Sequence, residues 1–302
     1  MAPAINGFGY SLSGGWYNTA KVHKLGGFDF TLLGNVVLVP EASQTFNIEE
    51  LKLEGFQVAD GSNNLSPTVA GNGAGSTLYF VDDNNTIDLP DGANFKWVPS
   101  FTPQIGVGLF KETELIIRYL PKVNVADYQF GLWGVGVKHS IKQWIPVLEK
   151  IPVFQLSGVF GYTKFTSTYD KISVMPSDIG WTTPGDLSVY NDQSLDFDVS
   201  SFTGSILVGA NIPVLAVYGG LGFVSTKSTL ALKGVYPFLG ESGYTNTEKD
   251  ELSYDIKDED GGNVKPRLNI GLRIKLGVLT IHADYTKVNY NLITTGIGIS
   301  FR

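Results

Sequence analysis

The last eleven residues, Asn291–Phe301, read N-L-I-T-T-G-I-G-I-S-F and alternate with a period of two. Ile293, Thr295, Ile297, Ile299 and Phe301 fall on one face, and Thr294, Gly296, Gly298 and Ser300 on the other. The two preceding segments repeat the pattern. In Pro266–Leu276, Leu268, Ile270, Leu272, Ile274 and Leu276 oppose Arg267, Asn269, Gly271, Arg273 and Lys275. After a turn at Gly277-Val278, Leu279, Ile281, Ala283 and Tyr285 oppose Thr280, His282, Asp284 and Thr286, and Tyr290-Asn291 turns the chain again. Period two with no helical stretch between segments predicts an antiparallel meander.

Earlier segments carry the same signature. Ile105, Val107 and Leu109 oppose Gln104, Gly106 and Gly108. Across the turn Lys111-Thr113, Leu115, Ile117 and Tyr119 oppose Glu114, Ile116, Arg118 and Leu120. Phe28–Val39, Tyr128–His139, Val153–Thr168, Leu195–Ala210 and Val214–Leu232 complete a set of about ten strands, within a range of 8–14. Phase shifts near Trp133 and near Ser200-Ser201 are read as β-bulges or as exits from the membrane. Ile141, Trp144, Ile145 and Leu148, at helical spacing between Ser140 and Pro152, predict a short amphipathic helix.

Connection lengths sort into two classes. Lys111–Thr113, Asn211–Pro213 and Gly277-Val278 are tight, whereas residues 41–100, 169–193 and 234–262 are long, polar and rich in Gly, Asn and Asp. Short turns at one rim and long loops at the other, with an even strand count, fit an up-and-down transmembrane β-barrel whose helix-bearing rim faces the periplasm. Composition agrees. Only 17% of residues are charged, glycine reaches 36 and aromatics 12%, and no run approaches the ~18 apolar residues of a spanning helix. A lipid-facing barrel dilutes its apolar residues to every second position. Aromatics at Tyr119, Tyr128, Phe154, Phe160, Tyr162, Phe223, Tyr285 and Phe301 are expected at the membrane interfaces. Phe301, followed by Arg302, reads as the terminal aromatic of an outer-membrane insertion signal.

Several function classes drop out. With no cysteine, neither a disulfide framework nor a thiolate metal site is available. A net charge of −7 without a basic run argues against a nucleic-acid partner. Met1-Ala2-Pro3 lacks the basic and apolar regions of an export signal; a cytoplasmic protein is the plain reading of that start, and the strand pattern favours instead a mature or engineered start from which the signal has been removed.

Gly14-Gly15-Trp16-Tyr17-Asn18-Thr19-Ala20-Lys21, followed by Leu25-Gly26-Gly27-Phe28-Asp29-Phe30, resembles the N-terminal region of long-chain fatty-acid transporter barrels. There a small-residue plug with an Asn-Pro-Ala turn precedes the first strand. Asn18-Thr19-Ala20 occupies that place, with threonine where the family has proline. Over nearly its full length, including Leu109–Pro121 and His139–Pro152, the chain is similar to a family of uncharacterised outer-membrane proteins of the Bacteroidota. The fatty-acid transporters are longer and have more strands. The resemblance implies a plug-like segment over residues 1–26, with Trp16, Tyr17 and Asn18 as plug candidates, and a barrel over 27–302. The residues alone leave a disordered periplasmic tail as the alternative, since so glycine-rich a segment cannot fold by itself.

Asp29, Glu114, Arg118, Arg267, Arg273, Lys275 and Asp284, with His282 beside Asp284, fall on the inward faces, because a lysine or arginine facing hydrocarbon costs roughly 2–4 kcal/mol. They are the lumen and ligand candidates. Structurally they are a buried, paired network; functionally they line a path, with Arg267, Arg273 and Lys275 drawing an anionic head group. The three histidines, His23, His139 and His282, come with no G-x-S-x-G motif, and His282 and Asp284 stand about 7 Å apart along a strand, so no enzyme and no cofactor is expected. Asp255, Asp258, Glu259 and Asp260 in the loop Thr247–Gly262 lack EF-hand spacing and read as a solvated acidic loop; Asp82-Asp83-Asn84-Asn85 reads as turn chemistry. The expected function is uptake or passage of small hydrophobic or amphipathic molecules through the outer membrane, with its lipid as surroundings. The alternatives are a closed structural barrel that binds a protein partner through its loops, and a general diffusion porin.

Overall fold

The computed structural model describes residues 2–51, 55–80, 86–179, 187–237, 252–256 and 264–301. Ten strands form the wall: β1 (Phe28–Leu38), β2 (Trp97–Leu109), β3 (Thr113–Val125), β4 (Tyr128–Ser140), β5 (Phe154–Tyr169), β6 (Ser194–Asn211), β7 (Leu215–Lys233), β8 (Val264–Leu276), β9 (Leu279–Lys287) and β10 (Asn291–Phe301). Each pairs antiparallel with its sequence neighbours. β1 closes on β10 in unbroken register, Phe28 opposite Phe301 and Leu38 opposite Asn291. Closure removes the sheet edges that an open sheet would expose.

The lower rim holds both ends of the wall, three tight turns and the helical connection between β4 and β5. At Gly277 the chain takes φ +63°, the first position of a two-residue hairpin turn that glycine enters without strain. Three long connections rise from the upper rim, beside two tight ones at Ala126-Asp127 and residues 288–290. The first, from 39 to 96, ends earlier than the expected loop, because Trp97–Ser100 already belong to β2. It folds on itself through small antiparallel pairings, Thr45–Asn47 with Leu65–Pro67 and Phe56–Val58 with Thr77–Phe80. Its Ala70 is fully buried against Tyr10, Val37, Val98 and Tyr290, so this loop caps the upper mouth.

Burial alternates as the sequence pattern requires, with the polarity of a soluble protein inverted. Outward positions are large, apolar and exposed: Phe30, Ile105, Ile117, Val135, Phe160, Ile206, Leu221, Leu268, Ile270, Ile281, Ile293 and Ile297. Inward positions are buried and polar or small: Thr31, Gln104, Ser157, Thr163, Ser205, Asn269 and Thr294. Such a wall is matched to hydrocarbon outside. On β5 the apolar run Phe154–Tyr162 ends at Lys164, which pairs with Asp198 at 3.4 Å; nine tilted residues at about 3.3 Å each reach roughly 20–25 Å, the height of a membrane band. No helix among the described residues is long and apolar enough to cross a membrane.

Several expectations need correction. Of the two readings at Ser200-Ser201, the exit from the membrane holds and the bulge does not: β6 stays in register with both neighbours, and its outer face turns polar where the apolar band ends. The irregularity expected near Trp133 lies in the facing strand, where Pro121 and Lys122 fall opposite a single residue of β4. Proline lacks an N–H for the ladder, and a bulge accommodates it. The helix between β4 and β5 is split into a 3₁₀ turn, Lys142–Trp144, and one α-turn, Pro146–Glu149. Ile145 between them is extended, the conformation a following proline imposes. Phe160 and Phe223 sit within the apolar band, where they lie over Gly204 and each packs against the ring of Phe202. Arg302, residues 81–85 and the acidic positions 258–260 lie outside the described residues.

Candidate functional site

Inward side chains of the wall are small at many positions, including Gly106, Gly136, Ser157, Gly161, Ser205 and Gly296, and the bore they leave is occupied by residues 2–23. Helix α1 (Ala2–Ser11) stands in the upper bore: Tyr10 packs on Tyr290 (5.4 Å between ring centroids) and Phe8 on Phe165 (4.7 Å). Around it the bore is apolar, with Val37, Val98, Leu132, Val199, Val224 and Leu292 buried. Below Ser11 the segment descends without regular structure to Gly26-Gly27, where it joins β1.

Trp16 is the wedge of this segment. It is wholly buried against the bare backbones of Gly136 and Gly161; a Cβ on Gly136 would stand 2.6 Å from the ring, and one on Gly161 2.3 Å. The Arg118 guanidinium lies 3.7 Å over the indole. Gly15 makes the bend before it with φ +73°, a left-handed conformation open to glycine.

Irregular backbone in a buried bore must find partners, and wall charges supply them. Arg118 donates to the carbonyls of Leu12 (2.7 Å) and Gly14 (2.6 Å), and to Gln104 Oε1 (2.9 Å). Arg267 donates to the Ser13 carbonyl (2.7 Å) and Thr203 Oγ1 (3.1 Å). Lower down, Tyr17 Oη donates to Asn269 (3.0 Å), whose Nδ2 donates to Asp284 (3.1 Å). Asn18 Nδ2 donates to Asp29 (3.1 Å) and Thr19 Oγ1 to Asn211 (2.8 Å). Glu114 Oε2 accepts from the His23 backbone (3.1 Å) and meets His23 Nδ1 (3.0 Å) and Lys138 Nζ (2.9 Å).

The eight inward candidates therefore divide by task. Arg118 and Arg267 clamp the segment's carbonyls; Asp29 and Glu114 latch its lower end; Asp284 anchors Asn269 and Thr286. His282 and Asp284 form no pair: both ring nitrogens of His282 are buried without a partner, and the ring fills the space beside Gly296. His23, Asp29 and Glu114 bring ligand atoms within 4.8 Å of one another, but Lys138 already occupies the Glu114 oxygen they would share. Arg273 and Lys275 instead line a cavity of about 350 Å³ at the lower mouth, with Thr19, Lys21, His23, Asn211 and Ser300. Sequence reasoning missed Lys138, although Gly134, Gly136 and Lys138 alternate cleanly with Val135 and Val137; the phase break assigned to Trp133 concealed it. His23 precedes the first strand, where no periodicity points inward. A second hollow, about 870 Å³ and almost wholly apolar, lies on the outer face around Gly219, between Val208 and Ile270.

The model of a family of unknown function, DUF6588, matches residues 1–301. No curated protein matches the sequence. Among solved structures, the chain is similar to Ail of Yersinia pestis in complex with the heparin analogue sucrose octasulfate (11% identity, 92% of this chain and 100% of that one, TM-score 0.26). It is also similar to the outer membrane protease OmpT of Escherichia coli (9%, 91% and 97%, 0.35) and the toluene transporter TbuX of Ralstonia pickettii (6%, 94% and 91%, 0.27). At these scores the likenesses carry no inference about activity.

Proposed function

We propose that this chain, which belongs to the DUF6588 family of unknown function, is an outer-membrane barrel that its own N-terminal segment closes, and that it passes small amphipathic or hydrophobic molecules when that segment moves. One observation carries the reading: the wall is built hollow, and what fills it is an N-terminal segment that forms no strand of the wall and meets it at Gly26-Gly27. A barrel of this size can be filled by side chains of its own strands. Here glycine and serine keep the bore open, and Trp16 with helix α1 occupies it without any covalent link beyond the chain itself. The bore is apolar above and charged below, matching a molecule with an apolar body and a polar head. The likeness of Gly14–Lys21 to transporter plugs supports the same reading.

A closed structural barrel is the second reading, favoured by the wedge of Trp16 and the folded cap of the first loop. Dye entry into proteoliposomes separates the two. Wild-type protein should admit little of a small amphipathic dye, and a chain lacking residues 2–23 should admit it freely. A truncated chain that inserts as a folded barrel and still excludes both dye and ions would establish the structural reading.

A further inference from the structure

The lower-mouth cavity joins the N-terminal segment to the wall, and its charges are unbalanced. Lys21 enters from the segment; Arg273 and Lys275 enter from β8, with Lys275 in electrostatic reach of both others. Among the described residues none of the three has a carboxylate within ion-pair distance. Arg273 is 94% buried by its 6% exposure, its Nε is sealed from solvent, and that nitrogen has no hydrogen-bond partner. Asp29 and Glu114 lie in its electrostatic reach, but both are taken, Asp29 by Asn18 and the Gly106 N–H, and Glu114 by Lys138 and His23.

A buried guanidinium without an acceptor is costly, and two further cations around one small cavity add repulsion. An oxyanion entering the cavity offsets the repulsion among the three cations and gives the outer nitrogens of the guanidinium an acceptor. Arginine presents a planar fork suited to the paired oxygens of phosphate, and Thr19, Asn211 and Ser300 surround it with neutral polar groups. We propose that this cavity binds a phosphate-type oxyanion, free or esterified, which bridges Lys21 of the N-terminal segment to Arg273 and Lys275 of the wall. This site stands on the cavity itself and does not require that the barrel transport anything.

Isothermal titration of the folded full-length protein with inorganic phosphate, against chloride at equal ionic strength, tests it. Saturable one-to-one binding is expected, weakened about tenfold or more by Arg273→Gln and about threefold to tenfold by Lys21→Gln, on the strength of charge-assisted hydrogen bonds. Lys24→Gln, outside the cavity, should leave affinity unchanged. Lys21 is exposed, so its variant remains informative should Arg273→Gln fold poorly. Absence of saturable binding to wild type, or unaltered affinity in Lys21→Gln, would overturn the proposal. Glycerol 3-phosphate binding tenfold tighter than phosphate assigns the site to an esterified head group, and equal or weaker binding assigns it to the free ion.

Discussion

Trp16→Ala should open the barrel while leaving its wall intact. Truncating a fully buried tryptophan costs about 3–5 kcal/mol. Arg118, stacked at 3.7 Å, loses a desolvated cation–π contact of about 2 kcal/mol, which overlaps with that total. At about 1.4 kcal/mol per decade, 4 kcal/mol lowers the closed-to-open ratio of the segment roughly a thousandfold. No strand pairing passes through Trp16, so heat-modifiable migration in detergent should remain that of a folded barrel. Two readouts register the change: single-channel conductance in planar bilayers, and chymotryptic cleavage at Tyr10 and Tyr17, both buried in the wild type. Trp133→Ala, on the exposed outer face, should change neither. A folded Trp16→Ala barrel that stays silent, with both tyrosines as protected as before, would refute the idea that Trp16 holds the segment in place.

Gly161→Ala should give the same phenotype by the opposite change, since the added methyl takes the space of the indole; overpacking of this kind costs about 1–3 kcal/mol, read as faster cleavage at Tyr17. Glu114→Gln leaves Lys138 buried without its counter-charge and should destabilise the folded protein by about 3–5 kcal/mol, measured as a shift in urea midpoint, and Glu114→Gln with Lys138→Met should recover most of the loss. Ile270→Arg on the outer face should cost about 2–4 kcal/mol of folding free energy in bilayers, whereas Ile270→Leu should be neutral in the same vesicle-folding titration.

The wall was legible because period two is local: each of Leu268, Ile270 and Leu272 declares its face by its neighbours, and strand length follows from where the alternation stops. Closure was legible from the uneven loops. What escaped depends on residues distant in sequence. The split of the helix after β4 is local and readable at Pro146, but the bulge at Pro121-Lys122 could be placed only once β4 was laid beside β3. The inward charges were legible as a group, and their partners were not, because those partners are carbonyls of Leu12, Ser13 and Gly14 in a segment with no periodicity. Nothing in the sequence of β8 distinguishes Arg267, which clamps that segment, from Arg273, which lines the lower-mouth cavity six residues away.

On the proposed release of the N-terminal segment, that division also sets which cargo the bore would admit. Arg118 and Arg267 donate to backbone oxygens that leave with the segment, so displacement strips two cations in the bore of those acceptors. Asp29 and Glu114 lose Asn18 and His23 at the same time. Charges stripped of partners in a dry lumen are untenable, so the open bore has to fill with water. A wet bore lined by Thr31, Gln104, Thr163, Thr203 and Asn269 favours a cargo with a polar or anionic head over a wholly apolar one. The apolar chamber around Val37, Val199 and Leu292, freed when helix α1 departs, then receives the cargo's body. Amphipathic anions should therefore cross a segment-released barrel faster than neutral hydrocarbons of the same size, and Arg118→Gln should diminish that preference in the released chain.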